Sequence, residues 1–361
     1  MTKGRLVWII LAVFTLFLRW ALSGHPHWIE AVYSRGLFSW IRPAIDYSLG
    51  WFPFPWIYLF ILIVLGYTAW AGRRIVLAQS GWASRWWRLG WLFSAVISYI
   101  IVSFMWLWGF NYGRIPVERQ LGLELKQPAY DAIRQALDEE TAAIISLRAQ
   151  IPGATSRALE LSLSKSALEN QLRKELTRVL KQNGYPATGR MRVFNLLPKG
   201  IFLRFSSAGL YFPFTGQGHI DAGLHSLQWP HTMAHEMAHG YGIAEEGACN
   251  FWAYLACRQS AVPAIAYMGR LSYWRSLAIY FKIKEPEAYA RFRAALPPGV
   301  IADLEAINKN LLAYPDIAPR IRDHTYDAYL KSQGLHDGMA NYDKDILLIE
   351  AWKKKNQNAC Q

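Results

Sequence analysis

The run Trp229-Pro230-His231-Thr232-Met233-Ala234-His235-Glu236-Met237-Ala238-His239-Gly240-Tyr241-Gly242 decides how this chain is read. Trp229, Met233, Met237 and Tyr241 recur every fourth residue, which predicts a helix over 229–241 with an apolar stripe for the core. His235 and His239 stand four apart on a different face, so both rings can reach one metal ion. Glu236 follows the first histidine, where its carboxylate can take a proton from a water beside that ion. Pro230 suits the first helical turn, and Gly240 and Gly242 supply a stop just past the second histidine. A helix ending there lets the chain turn back with a third ligand. Two satisfied histidines on an ordinary helix are the alternative, but the stripe, the start and the stop together favour a metal site, expected to hold one zinc ion.

A hydrolytic zinc site needs three protein ligands and an open position. Glu245 and Glu246 are the nearest carboxylates after the glycines. Residues 246–259 read as a second helix opened by Glu246. Asn250 lies one turn on along the same face, placed to accept a hydrogen bond from a ligating histidine and fix its tautomer. Glu246 is therefore the expected third ligand. Glu245 is its rival, in register with the H-E-x-x-H-x-x-G-x-x pattern through Gly242. Tyr326 and Tyr342 are candidates for binding substrate or a developing oxyanion, with His324 and His219 beside them.

Upstream, tryptophan is lopsided: 13 of 17 lie in the first 110 residues. Three apolar spans occur there, at about 6–22, 52–71 and 91–110, close to the length that crosses a bilayer. Their Trp and Tyr residues suit interfacial belts. Lys3 and Arg5 precede the first span, and Arg73, Arg74, Arg85 and Arg88 lie between the second and third with no acidic residue among them. Positive-inside reasoning predicts a cytoplasmic N-terminus, a membrane domain over 1–113 and an extracytoplasmic domain over 114–361.

The net charge of +13 does not point to nucleic acid, because no basic stripe is interleaved with aromatics. Arg and Lys near anionic headgroups explain it better. Lys353-Lys354-Lys355 reads as a solvated helix end. Three cysteines make no disulfide framework, and Cys249 and Cys257 read as small buried thiols.

Residues 128–150 and 155–182 read as two amphipathic helices with solvated charges. Arg190–Phe194 and Ile201–Phe205 alternate with period two, which predicts a small sheet before the metal helix. Residues 206–220 are the candidate edge strand for an extended peptide. After residue 260 the pattern is helical over 263–284, 286–295, 300–312, 319–333 and 340–356.

His235-Glu236-x-x-His239, followed by Glu246 and by Asn250 four residues later, resembles the gluzincin group of zinc metallopeptidases. More narrowly, the chain is similar to an uncharacterised bacterial family, domain of unknown function 3810. The matching pieces are Leu107-Trp108-Gly109-Phe110-Asn111-Tyr112, Tyr211-Phe212-Pro213-Phe214-Thr215-Gly216, His235 to Gly242, Asn250-Phe251 and Tyr329-Leu330-Lys331. They span most of the chain. Ala248 departs from that family's pattern, which often carries a second Glu there. The resemblance implies a membrane-anchored metallopeptidase and names no substrate.

The expected architecture is α+β: three transmembrane helices, then a mostly helical zincin-like domain with a small sheet. The expected function is zinc-dependent hydrolysis of a peptide or protein at the outer face of a bacterial cytoplasmic membrane. The rival from another class is a non-catalytic envelope scaffold whose metal is structural or absent. A metal hydrolase acting on a cell-wall amide is a further alternative.

Overall fold

Pro53 and Pro55, in Trp51-Phe52-Pro53-Phe54-Pro55, each lack an N–H and would crowd the preceding turn of a helix, and they set where the second apolar span begins. In the computed structural model, which describes residues 3–78, 81–317 and 344–359, that span starts at Ile57. The N-terminal part comprises α1 (Lys3–Ala21), a helical stretch over 26–48 ending in α2 (Phe38–Ser48), α3 (Ile57–Leu77) and α4 (Trp82–Leu107). Helices α1, α3 and α4 are long and apolar enough to cross a membrane. Their outer faces expose Phe14, Phe17, Leu62 and Ile97, as lipid-facing helices do. The third span is longer than its uncharged run, taking in Arg85 and Arg88 at its start. Helix α1 packs along α4, with Trp8 edge-on to Tyr99 at 5.0 Å and Trp106 Nε1 donating to Thr15 Oγ1 at 3.0 Å. Helices α3 and α4 bury Ala71, Ile75 and Leu92 together, toward the ends that carry Arg73, Arg74, Arg85 and Arg88.

The stretch over 26–48 buries every fourth residue from Glu30 to Asp46, and four of those five are polar. Its middle, Ile29–Leu37, is a π-helix. The buried groups tie it to the chain beyond residue 113. Arg114 forks onto both Glu30 oxygens at 2.8 Å. Arg42 donates to Tyr211 Oη at 3.0 Å, and Asp46 accepts from the Arg190 amide at 2.7 Å.

The remainder holds α5 (Tyr130–Ala149), α6 (Lys165–Gln182), β1 (Val193–Leu196), β2 (Gly209–Phe212), β3 (Gln217–Asp221), α7 (Trp229–Gly240), α8 (Glu246–Arg258), α9 (Pro263–Lys284), α10 (Pro286–Ala294), α11 (Pro298–Leu312) and α12 (Lys344–Ala359). Helix α8 is apolar all round and sits at the centre, with Phe251, Trp252, Tyr254, Leu255 and Cys257 fully buried. Cys249 and Cys257 are free, buried thiols. The sheet order is β1-β3-β2, with β1 parallel and β2 antiparallel to β3.

Several expectations need correction. Ile201–Phe205 is no strand: the buried Asp221 carboxylate accepts from the amides of Gly200, Phe202 and Leu203 and curls that segment into a turn ending in a short 3-10 helix. Residues 155–164 are not helical, and α6 begins at Lys165 behind the Ser164 cap. The charges of α5 and α6 are not all solvated. Glu140 and Arg148 are buried, the first held by Tyr254 and Arg270, the second by Asp303. Lys353 is likewise inside a cluster, 3.2 Å from Glu140 and 3.0 Å from Glu350. The expected helix over 319–333, the Tyr329-Leu330-Lys331 piece, and Tyr326, Tyr342 and His324 lie outside the described residues.

Candidate metal and catalytic site

Helix α7 buries Met233, Met237 and Tyr241 in the core, so the His face turns toward α8. Gly242 takes the left-handed conformation (φ 84°) that reverses the chain after α7. Its carbonyl accepts from Arg114 Nη1 at 3.0 Å. The reversal brings the first turn of α8 back against the histidines.

Three atoms converge there. His235 Nε2 and His239 Nε2 are 3.1 Å apart, and Glu246 Oε2 lies 3.1 Å from the first and 3.6 Å from the second. Ligand atoms around a tetrahedral zinc, each about 2.0–2.1 Å from the ion, lie about 3.3 Å from one another. The two outer ring nitrogens are occupied elsewhere. His235 Nδ1–H donates to Asn250 Oδ1 at 2.7 Å, and His239 Nδ1–H donates to the Ile243 carbonyl at 2.9 Å. These partners fix the tautomers and leave both Nε2 lone pairs aimed at the common point. Lone pairs in that arrangement repel unless a cation sits between them. The donor set therefore fits a divalent zinc ion: two neutral imidazoles, one carboxylate and preset second-sphere partners.

Glu245 points the other way and pairs with Lys344, which also meets Glu118 at 3.0 Å. Of the two rival carboxylates, Glu246 is the one brought to the histidines. Cys249 belongs to the same neighbourhood: its Sγ lies with the histidine nitrogens in a group within 4.8 Å. That sulfur is behind the His239 ring, 3.3 Å from Nδ1 and 3.4 Å from the Ile243 carbonyl. Burial drives its thiol well above the ordinary value. Glu246 and not Cys249 thus shares the point on which the Nε2 atoms converge.

Glu236 is buried beside this cluster, and among the described residues its Oε2 has no hydrogen-bond partner. Burial pushes its carboxyl up to about 8, with the Glu246 charge adding to the rise. Two glycines make room for it. A Cβ on Gly209 would lie 2.5 Å from Glu236 Oε1, and one on Gly218 would lie 3.0 Å from Glu236 Cβ. The sheet and α7 can meet closely only because both positions lack a side chain.

Strand β2 lies at the sheet edge and lines the same cavity, about 800 Å³ in volume, as His235, Glu236 and Glu246. The Asp221 amide donates to the Ala208 carbonyl at 2.9 Å. Antiparallel pairing alternates, so residues 210 and 212 are bonded to β3 in turn. The main-chain groups of Gly209 and Tyr211 then point away from the sheet, beside Glu236. Of the 206–220 segment expected as an edge strand, only Gly209–Phe212 is one; 217–220 belongs to the central strand β3.

His219 is not part of the site. It occupies the opposite face of β3, fully buried, with Nδ1 3.3 Å from the Leu210 carbonyl. Sequence reasoning also passed over Gly209, Gly218, Arg114 and Trp108. Trp108 Nε1 donates to the His239 carbonyl at 2.7 Å. Only the Leu107–Tyr112 run gave a signal for any of them.

A family model described as "Protein of unknown function (DUF3810)" matches residues 33–349. No curated protein and no solved structure matches the chain.

Proposed function

We propose, on the premise that the chain belongs to the DUF3810 family of proteins of unknown function, that it is a membrane-anchored zinc metallopeptidase with its catalytic domain on the outer face of the cytoplasmic membrane. The observation that carries this reading is the convergence of His235 Nε2, His239 Nε2 and Glu246 Oε2 beside a buried carboxylate and an open strand edge. Those three atoms would hold the zinc. Zinc in such a set acts as a Lewis acid that polarises a carbonyl and makes water a nucleophile at neutral pH.

The chain's own groups do the rest. Gly209 and Tyr211 pair with an extended peptide through main-chain hydrogen bonds, which lays the scissile carbonyl beside the cluster. Glu236 takes a proton at Oε2 from the attacking water and delivers it to the leaving amine nitrogen. Asn250 and the Ile243 carbonyl keep both histidine rings oriented throughout. Arg73 and Arg74 in the last turns of α3 and Arg85 and Arg88 in the first turns of α4 support a cytoplasmic position for those ends, which sets the domain on the opposite face.

The test begins with metal. The purified full chain should carry about one zinc per molecule, lost on His239→Ala. Glu236→Gln should keep the zinc and lose cleavage of a mixed-sequence peptide library. A chain that takes up no zinc overturns the reading. A Glu236→Gln variant that keeps zinc, alongside a zinc-loaded wild type that cleaves nothing, would favour the scaffold alternative.

A further inference from the structure

The cavity wall is partly built from the spans themselves. Phe104 in the last turn of α4, and Trp108 and Tyr112 just beyond its end, all line it, so the wall continues directly from α4. Phe104 lies about one helical turn, roughly 5 Å, inside the end of α4. Facing it, Phe212 and Phe214 line the cavity on the edge-strand side. Both pack on Phe60, with ring centroids 5.3 and 4.6 Å away. Phe60 lies about one turn inside the start of α3. The wall thus reaches span level on two sides. The buried contact between α3 and α4 is far from there, at Ala71, Ile75 and Leu92. The two spans meet at one end; at the other, α4 supplies Phe104 to the cavity wall and α3 supports that wall through Phe60 behind Phe212 and Phe214.

We infer that the site takes a polypeptide that is itself anchored in the bilayer, cut within a few residues of the lipid surface and entering between α3 and α4. This inference rests on the metallopeptidase reading and goes further by assigning its substrate class. A soluble peptide gains nothing from a wall of Phe104, Phe212 and Phe214 at span level. A lipid alone would not use the main-chain groups of Gly209 and Tyr211 beside Glu236. An anchored chain uses both: its span occupies the bilayer next to α3 and α4, and the residues just outside it extend along β2. Tethering in the membrane also raises the effective concentration of the scissile segment at the site.

The test is a ruler. A peptide hydroxamate, which binds zinc, is joined to a single hydrophobic span through spacers of roughly two, six and twenty residues, at most about 7, 20 and 70 Å when extended. Binding is measured on the zinc-loaded full chain in nanodiscs. The same hydroxamate without a span and the same hydroxamate on a plain acyl chain serve as comparisons. The two shorter spacers should bind at least about 100-fold more tightly than the free peptide. A benzophenone placed in the spacer should label α3 or α4 near Phe60 and Phe104. If the free peptide binds but short spacers add nothing and only the longest one helps, the site stands clear of the bilayer and the inference falls while the metallopeptidase reading stands. If the acyl hydroxamate binds as tightly as the short-spacer peptides, the ligand is a lipid and the inference also falls. If the free hydroxamate does not bind the zinc-loaded chain, the underlying reading fails first.

Discussion

Trp108, just past the end of the third apolar span, donates its indole N–H to the carbonyl of His239, the second histidine of the H-E-x-x-H pair, at 2.7 Å. The same ring packs on Tyr112 and Tyr211 at 5.2 and 5.5 Å. The end of the third apolar span and the histidine-bearing helix α7 are therefore joined at the candidate site itself, with no spacer between them. Arg114 repeats the connection a few residues on, bridging Glu30 and the Gly242 carbonyl.

Trp108→Phe keeps a ring in place and removes the donor. A buried hydrogen bond of this kind contributes about 1 kcal/mol. The variant in mild detergent should therefore melt roughly 2–4 °C below wild type. Equal melting temperatures would show that ring packing alone fastens α4 to α7.

Asn250 holds His235 in the tautomer that frees Nε2. Asn250→Ala should weaken zinc binding about 10- to 100-fold in a chelator competition, a range seen for lost second-sphere partners. Asn250→Asp keeps an acceptor oxygen and should stay close to wild type. An alanine variant with unchanged affinity would mean that His235 is oriented by something else.

Gly209→Ala places a methyl group 2.5 Å from Glu236 Oε1 and 2.6 Å from the His219 carbonyl. The second neighbour is backbone, so the carboxylate or the whole edge strand must move. A shift near 1 Å at a reacting group costs about 100-fold in rate. Peptide cleavage should fall by that order with zinc content unchanged. Wild-type turnover in this variant would rule out Glu236 acting from its present position.

The parts of this site that were legible in the sequence are those set by local spacing. The four-residue interval between His235 and His239, the glycines after them and the interval from Glu246 to Asn250 each describe one helix face. Gly209 and Gly218 are different, since their role depends on a strand register and on α7 crossing the sheet at Glu236. Nothing within ten residues of either reports that crossing. Ile201–Phe205 misled for a related reason. Its alternation is real, but Asp221, some twenty residues on, gathers its amides and outweighs a strand preference worth about 1 kcal/mol at most. The apolar spans were legible by length, and only their ends moved, where Pro53 and Pro55 broke the second and where arginines extended the third.

His219 gives the fold a pH dependence of its own. Burial between strands, with a smaller contribution from Lys165, lowers its pKa from 6.5 to about 4. Above pH 6.5 the ring is neutral in both folded and unfolded chains and contributes no difference. Between pH 6.5 and 4 only the unfolded chain binds the proton, so stability falls as pH falls. The loss from this one group approaches roughly 2 kcal/mol at pH 5 and about 3 kcal/mol near pH 4. Below its folded pKa the ring is charged in both states and the loss levels off. His219→Gln keeps a donor for the Leu210 carbonyl and cannot titrate. Urea unfolding at pH 7 and pH 5 should show a smaller drop for the glutamine variant, by about 2 kcal/mol. Equal drops for the two proteins would mean that His219 is protonated as readily in the folded chain as in the unfolded one, which its full burial on β3 argues against.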